Sequence, residues 1–238
     1  MKRIIPDSLN VSPTCQIQKL SEIYETYLEQ RGTFVEVGAH DGYMASNTSC
    51  LAELGWRGIY VEPDKVLAEQ CKLRNLHYDI EVYCYAISDK NGVVDFHRVQ
   101  GGLSTASAET RSAHKEILWA KDAEHIESTI APAITLDSLL LSAKVEPNFD
   151  LLVVDVEGFE EKVFLGFNIS HYKPKMIIVE LCDYHPSFDP YPSLQASARR
   201  VRNHILASDY VTVYADPINS VFVAREGIHL KALALDEL

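Results

Sequence analysis

Four β-branched, apolar runs constrain this chain most, because each carries an acidic side chain at its C-terminal end. They are TFVEVG (33–38) with Glu36, RGIYVEP (57–63) with Glu62, FDLLVVDVEG (149–158) with Asp155, and PKMIIVEL (174–181) with Glu180. Runs without polar alternation are covered on both faces, as in parallel strands flanked by helices. Helical spacing separates them. Apolar residues recur at Ile17, Leu20, Ile23, Tyr24, Tyr27 and Leu28, and helices are expected over about 46–54, 65–74, in EEKVFLGF, and over 193–208. The alternation predicts a mostly parallel sheet with helices on both faces. YVTVYADPINSVFVARE (210–226) predicts an antiparallel hairpin at its C-terminal edge. A length of 238 residues fits one domain, 1–238, opened by a helical extension over 1–30.

Between these runs, IEVYCYAIS (80–88) reads as a third strand and GVVDFHRV (92–99) as a fourth, hairpin-paired one. PAITLDSLLLSA (132–143) reads as a short strand and then a helix with Asp137 near its start. Residues 100–129 break the rhythm. GGLSTAS is a loop, Ala108 to Ile126 has helical character with mixed charge, and no strand is expected, so the segment reads as an insert on the rim of a site.

Charge limits the partners. With 22 basic and 34 acidic residues the chain carries −12, so neither nucleic acid nor an anionic membrane would be held by bulk attraction. Five cysteines, an odd number without metal-like spacing, read as buried thiols in a reducing compartment. MKRIIPDSLN lacks the apolar core of a signal peptide, and no apolar run reaches membrane-spanning length. The expectation is a cytoplasmic protein without membrane insertion; homo-oligomerisation is left open.

FVEVGAHDGYMASNT (34–48) runs from strand into helix through a turn with two glycines. Gly38 and Gly42 let the backbone approach a ligand closely. Glu62 ends the second strand 24 residues after Gly38, where a carboxylate accepts hydrogen bonds from both hydroxyls of a ribose. YAISD (85–89) ends the third strand, where an adenine would lie. Ribose and adenine mean a nucleoside cofactor. Asp41 would repel a pyrophosphate and favour the ammonium of S-adenosylmethionine (SAM). His40 replaces the middle glycine of the usual SAM motif, and a ligand-free turn is the plainer reading.

FVEVGAHDGYMASNT, YVEPDK, YAISDKNGVVDF, ITLDSLL, DLLVVDVEGFEEKVFLGF and MIIVEL occur in an order and spacing that resembles the FkbM family of SAM-dependent methyltransferases, over Phe34 to Leu181. The most specific piece is D-V-E-G-x-E, Asp155 to Glu160. The resemblance implies a seven-stranded Rossmann-like sheet of the class I methyltransferases and O-methylation of sugar or polyketide hydroxyls. It implies SAM contacts at Glu36, Gly38, Asp41, Gly42, Ser46, Asn47, Glu62, Ala86, Ile87, Ser88 and Asp155. Pro63, which closes the second strand beside Glu62, is counted with them.

Methyl transfer to a hydroxyl needs an aligned nucleophile and a proton acceptor. The candidates are Asp155, Glu157, Glu180 and His185. In an extended chain Asp155 and Glu157 share a face, and His185 lies just beyond Glu180, with Asp183 between. Two routes stay open: a direct base among Asp155, Glu157 and His185, or Mg²⁺ or Mn²⁺ on Asp155, Glu180 and His185. The plainer readings are a helix-entry cap for Asp155, a satisfied strand-end carboxylate for Glu180 and an exposed loop for His185. His171 and His204 read as surface residues. Arg111, His114 and Lys115 would share a helix face, with Lys121 nearby; they grip a diphosphate or form a solvated surface. The expectation is a SAM-dependent O-methyltransferase of a sugar, nucleotide-linked or a polysaccharide precursor. An NAD(P)-linked sugar dehydrogenase or epimerase and a non-catalytic SAM-binding scaffold are the alternatives.

Overall fold

The computed structural model describes residues 15–17 and 19–227; residues 1–14 of the expected extension lie outside them. In chain order the strands are β1 (Thr33–Val37), β2 (Arg57–Val61), β3 (Ile80–Tyr83), β4 (Ala86–Ile87), β5 (Gly92–Val99), β6 (His125–Ile134), β7 (Leu151–Val154), β8 (Met176–Glu180), β9 (Tyr210–Ala215) and β10 (Asn219–Ala224). The α-helices are α1 (Leu20–Tyr27), α2 (Ser49–Glu53), α3 (Lys65–Arg74), α4 (Ala108–His114), α5 (Leu136–Ser142), α6 (Glu160–Leu165), α7 (Ile169–Tyr172) and α8 (Pro192–Ala207).

The expected seven-stranded sheet is present, in the order β3-β2-β1-β7-β8-β10-β9. β3, β2, β1, β7 and β8 pair parallel. The C-terminal hairpin closes the edge, with β10 antiparallel between β8 and β9. The chain order reverses between β1 and β7, so their carboxyl ends open a crevice. All four acidic run ends lie at that edge.

Alternate strand residues face opposite layers. Val35, Ile59, Leu152 and Ile177 pack with Leu139, Val163 and Ile205 of α5, α6 and α8. Phe34, Tyr60, Leu151 and Ile178 pack on the other side with α1, α2 and Trp56. α3 falls where its spacing places it, and Asp64 caps it by accepting from the Val66 N–H at 2.8 Å.

Three expectations change. The third strand splits: β3 ends at Tyr83, and Ala86–Ile87 pairs in a second sheet, order β4-β6-β5. The expected insert does contain a strand, because β6 begins at His125 and pairs antiparallel with β5. Its first six residues are exposed, so no apolar pattern marked them, and Pro132 sits where β6 has a partner only on the β5 side. The expected helix over 108–126 is α4 alone, capped by Ser107, and the chain then winds through irregular turns.

Candidate active site

A cavity of about 600 Å³ opens at the carboxyl ends of β1, β2, β7 and β8. At its floor Gly38 takes φ +87°, and a Cβ there would stand 1.6 Å from the Asp155 carbonyl oxygen. Only glycine lets the β1 turn press against the end of β7. The next turn position, where the common motif has its middle glycine, is also left-handed: His40 has φ 51°.

Glu62 and Glu36 are buried on this side. Glu62 accepts from the His40 N–H at 3.0 Å and the Asp64 N–H at 2.8 Å, one bond to each oxygen. Burial nevertheless pushes its carboxyl up to about 8. Glu36 accepts from Thr48 Oγ1 at 2.5 Å, Ser46 Oγ at 3.1 Å and the Asn47 N–H at 3.2 Å. Burial outweighs these bonds and lifts it to about 7. Ala86, Ile87 and Pro63 give this end an apolar wall, and Ser46 borders it.

Four of the expected cofactor residues stand behind the wall. Asp41 turns to the Tyr43 and Met44 N–H groups, at 3.0 and 2.7 Å, and to Arg74 at 3.1 Å. Burial opposes its ionised form, but those bonds and Arg74 hold it below the usual carboxylate range. Gly42 faces Cys71 and Asn75 of the α3 end. Asn47 gives its N–H to Glu36, and Ser88 Oγ donates to Asp89 at 3.1 Å.

Asp155, Glu157 and Glu180 meet at the other end, with carboxylate oxygens all within 4.8 Å of one another. Glu157 arrives by a different backbone path than expected. It is not extended but left-handed, φ 54°, and Gly158 follows at φ +86°. Glu160 secures this turn by accepting from the Val156 and Gly158 N–H groups at 3.2 and 3.1 Å. Thr105 Oγ1 donates to the Glu157 carbonyl at 2.7 Å. Burial first, and the Asp155 charge second, raise Glu157 and Glu180 well above the ordinary carboxylate range.

His185 borders the cavity but stands outside this group, so the expected set Asp155, Glu180, His185 is not the one brought together. Its Nδ1 accepts from the Ser187 N–H at 3.1 Å and caps the short turn Pro186–Phe188. Asp183 does not face the cavity. It takes two bonds from Arg202, at 2.6 and 2.8 Å, in a buried pair. His171 and His204 are exposed, as expected.

One residue was expected on the wrong face and one was missed. His114 does not share a solvent face with Lys115: it is 1% exposed, with Nε2 3.9 Å from Glu157 Oε2. Burial first, then Arg111, lowers its pKa to about 4 and keeps it neutral. The signal was the stripe Ala113, Ile117, Ala120, all buried, which turns the adjoining residue inward. Trp119 lines the cavity at 52% exposure and lies 5.9 Å from the His185 ring; its Nε1 donates to Ser187 Oγ at 3.2 Å.

A nucleoside-carrying cofactor fits the first end: a carboxylate with spare acceptor capacity beside an apolar slot. A crevice of this kind at a parallel-sheet switch point is that of a Rossmann-like nucleoside-cofactor enzyme. The chain belongs to the methyltransferase FkbM domain family, whose model matches residues 36–211. It is therefore a SAM-dependent methyltransferase.

No curated protein matches the chain. Among solved structures it is similar to an O-methyltransferase from Bacillus cereus in complex with SAH, at 16% identity and TM-score 0.49, covering 91% of this chain and 83% of that one. It is similar to the O-methyltransferase TomG from Streptomyces achromogenes, involved in tomaymycin synthesis and in complex with SAM, at 12% and 0.45, covering 81% and 72%. The Methanococcus jannaschii fibrillarin pre-rRNA processing protein follows at 11% and 0.44, covering 93% and 86%. Likenesses this distant carry no chemistry across.

Proposed function

We propose that the protein methylates a hydroxyl oxygen of a sugar, nucleotide-linked or a polysaccharide precursor, with SAM as donor. One observation carries this reading: three half-buried carboxylates face the cavity that Glu62 also lines, and no lysine or arginine pairs with them among the described residues. A hydroxyl is a weak acid, so its attack needs a group that takes the proton; burial raises Glu157 and Glu180 and makes each a better base than an ordinary carboxylate. SAM supplies the electrophilic methyl. On the protein side, Glu62 accepts from the ribose hydroxyls, and Ala86 and Ile87 flank the base. Asp155, Glu157 and Glu180 orient the acceptor hydroxyl and take its proton as the O–CH₃ bond forms. Trp119 offers a half-exposed ring at the rim, a surface on which a pyranose stacks. All five cysteines are free thiols, which supports work in the reducing cytoplasm; no described helix is long and apolar enough to cross a membrane.

The test is transfer of labelled methyl from SAM to a panel of nucleotide sugars and oligosaccharides. Asp155→Asn should keep the fold while turnover falls ~10²–10⁴-fold. Trp119→Ala should raise KM for the acceptor and leave SAM affinity alone. Label recovered on an amine, or full turnover in Asp155→Asn, would overturn the reading.

A further inference from the structure

We propose that the acceptor carries no phosphate: it is a neutral sugar residue already transferred off its nucleotide, so that glycosyl transfer comes before methylation. The inference rests on the sugar-hydroxyl reading and excludes the nucleotide-linked form.

Three observations converge. The first is the charge of the wall. Glu36, Glu62, Asp155, Glu157 and Glu180 line the cavity, and among the described residues no lysine or arginine does. The pyrophosphate of a nucleotide sugar is a dianion, held elsewhere by charge-assisted bonds from arginine or lysine. An anion taken out of water without such partners is costly. Arg74 and Arg98 belong to α3 and β5, which give Leu67 and Phe96 to the wall. Asp41 holds Arg74, however, and Asp64 and Glu127 hold Arg98. The basic set that could grip a diphosphate is not in the wall either: Lys115 and Lys121 are exposed, and neither they nor the half-buried Arg111 line the cavity.

The second observation is the backbone. Turn N–H groups are the other common cradle for a phosphate. At three turns around this cavity they are already bound by the protein's own carboxylates. Glu62 accepts from the N–H groups of His40 and Asp64, Asp41 from those of Tyr43 and Met44, and Glu160 from those of Val156 and Gly158. A phosphate entering there would have to displace a carboxylate that the fold itself supplies.

The third is the aromatic rim. Trp119 Nε1 donates to Ser187 Oγ, and the rings of His185 and Phe188 lie 5.9 and 6.5 Å away, so the plane of the indole is set before an acceptor arrives. The C–H face of a pyranose packs on such a ring. Its neutral hydroxyls donate to carboxylates without needing a counter-ion.

The order of reactions follows. Glycosyl transfer breaks the bond from the anomeric carbon to the phosphate oxygen and forms one to an acceptor oxygen; the nucleoside diphosphate leaves, and the acceptor oxygen gives up its proton. Methyl transfer then puts CH₃ on a hydroxyl oxygen of the transferred sugar. The hydroxyl proton passes to a carboxylate, and the sulfonium leaves as the neutral sulfide of S-adenosylhomocysteine.

The experiment offers several common hexoses, each as methyl glycoside, 1-phosphate and nucleoside-diphosphate sugar, with labelled SAM. For the sugar that accepts methyl, kcat/KM should be at least ~100-fold higher for the glycoside than for its nucleotide-linked form, since like charges at an interface suppress the wrong partner. KM for the glycoside should stay within ~2-fold between about 0.05 and 0.5 M KCl, because no ion pair holds it. With the cofactor site filled by S-adenosylhomocysteine, calorimetry should show no binding of uridine or guanosine diphosphate at ~1 mM. A nucleotide sugar methylated as well as its glycoside, or a diphosphate bound with Kd below ~0.1 mM, overturns the inference and leaves hydroxyl methylation standing. Label found only on phosphate-free compounds other than sugars overturns the sugar reading and spares the exclusion of phosphate. If no compound turns over, the diphosphate titration decides alone.

Discussion

Glu62 holds two backbone N–H groups and still sits near 8 because burial dominates. In the free protein at neutral pH it is mostly the neutral acid, and ribose hydroxyls bind the ionised form. SAM binding should therefore expel a proton. Affinity should tighten as pH rises from about 6 to about 8, by up to ~10-fold per unit, and then level off. Calorimetry in buffers of different ionisation enthalpy measures the proton directly; proton uptake, or a flat affinity, would remove Glu62 from the ribose. Glu62→Ala should cost at least ~10-fold in affinity, since hydrogen bonds to a charged group are worth ~1.5–3 kcal/mol each. Glu62 was legible because a strand end after a glycine turn has one place to go. The inward turn of His114 was not, because the only mark of it is the short stripe Ala113, Ile117, Ala120, and Arg111 and Lys115 beside it suggest a solvated face. Glu157 was legible in its destination but not in its path, since a left-handed non-glycine residue leaves no mark in composition.

The loop after β8 is held at the scale of elements. Arg202 of α8 grips Asp183 with two bonds and donates to Ser220 of β10 at 3.0 Å, stacked between Tyr184 and Phe222. This pair joins α8, β10 and the loop that carries His185. Arg202→Ala leaves a buried carboxylate unpaired, so stability should fall by ~3–5 kcal/mol. Denaturant unfolding checks this, and a loss under about 1 kcal/mol would mean that water replaces the guanidinium. The long apolar strands were legible from their runs, and α3 from the Asp64 cap and its helix-forming residues. The β5–β6 hairpin was half-seen, because its strand 125–134 is solvent-facing for six residues and contains Pro132. Such a strand is defined by its partner rather than by its own pattern.

Over the whole molecule, the raised carboxyls set a pH slope. Glu36 and Glu160 move from 4.5 to about 7, and Glu62 from 4.5 to about 8. Each binds its proton more tightly folded than unfolded, so the stability it contributes is complete below pH 4.5 and is lost as pH rises through the folded value. The cofactor-free protein should lose on the order of a few kcal/mol between pH 5 and 8, read from chemical unfolding at several pH values; a gain over that interval would reverse the assignment. The overall architecture was readable because strand and helix periods alternate along most of the chain, whereas the division into two sheets depends on contacts far apart in sequence. The position of β10 between β8 and β9 bears on how the chain is made. During synthesis β8 leaves the ribosome some forty residues before the strand that must lie beside it, and β9, which precedes β10, cannot take that place. Glu180 therefore waits on an unfinished edge until Asn219–Ala224 has emerged. Nascent chains stalled before Asn219 should be cleaved readily within 176–180 by added protease, and chains stalled well after Ala224 should resist. Equal resistance in both would mean that the edge is guarded during translation by something other than its own last strand.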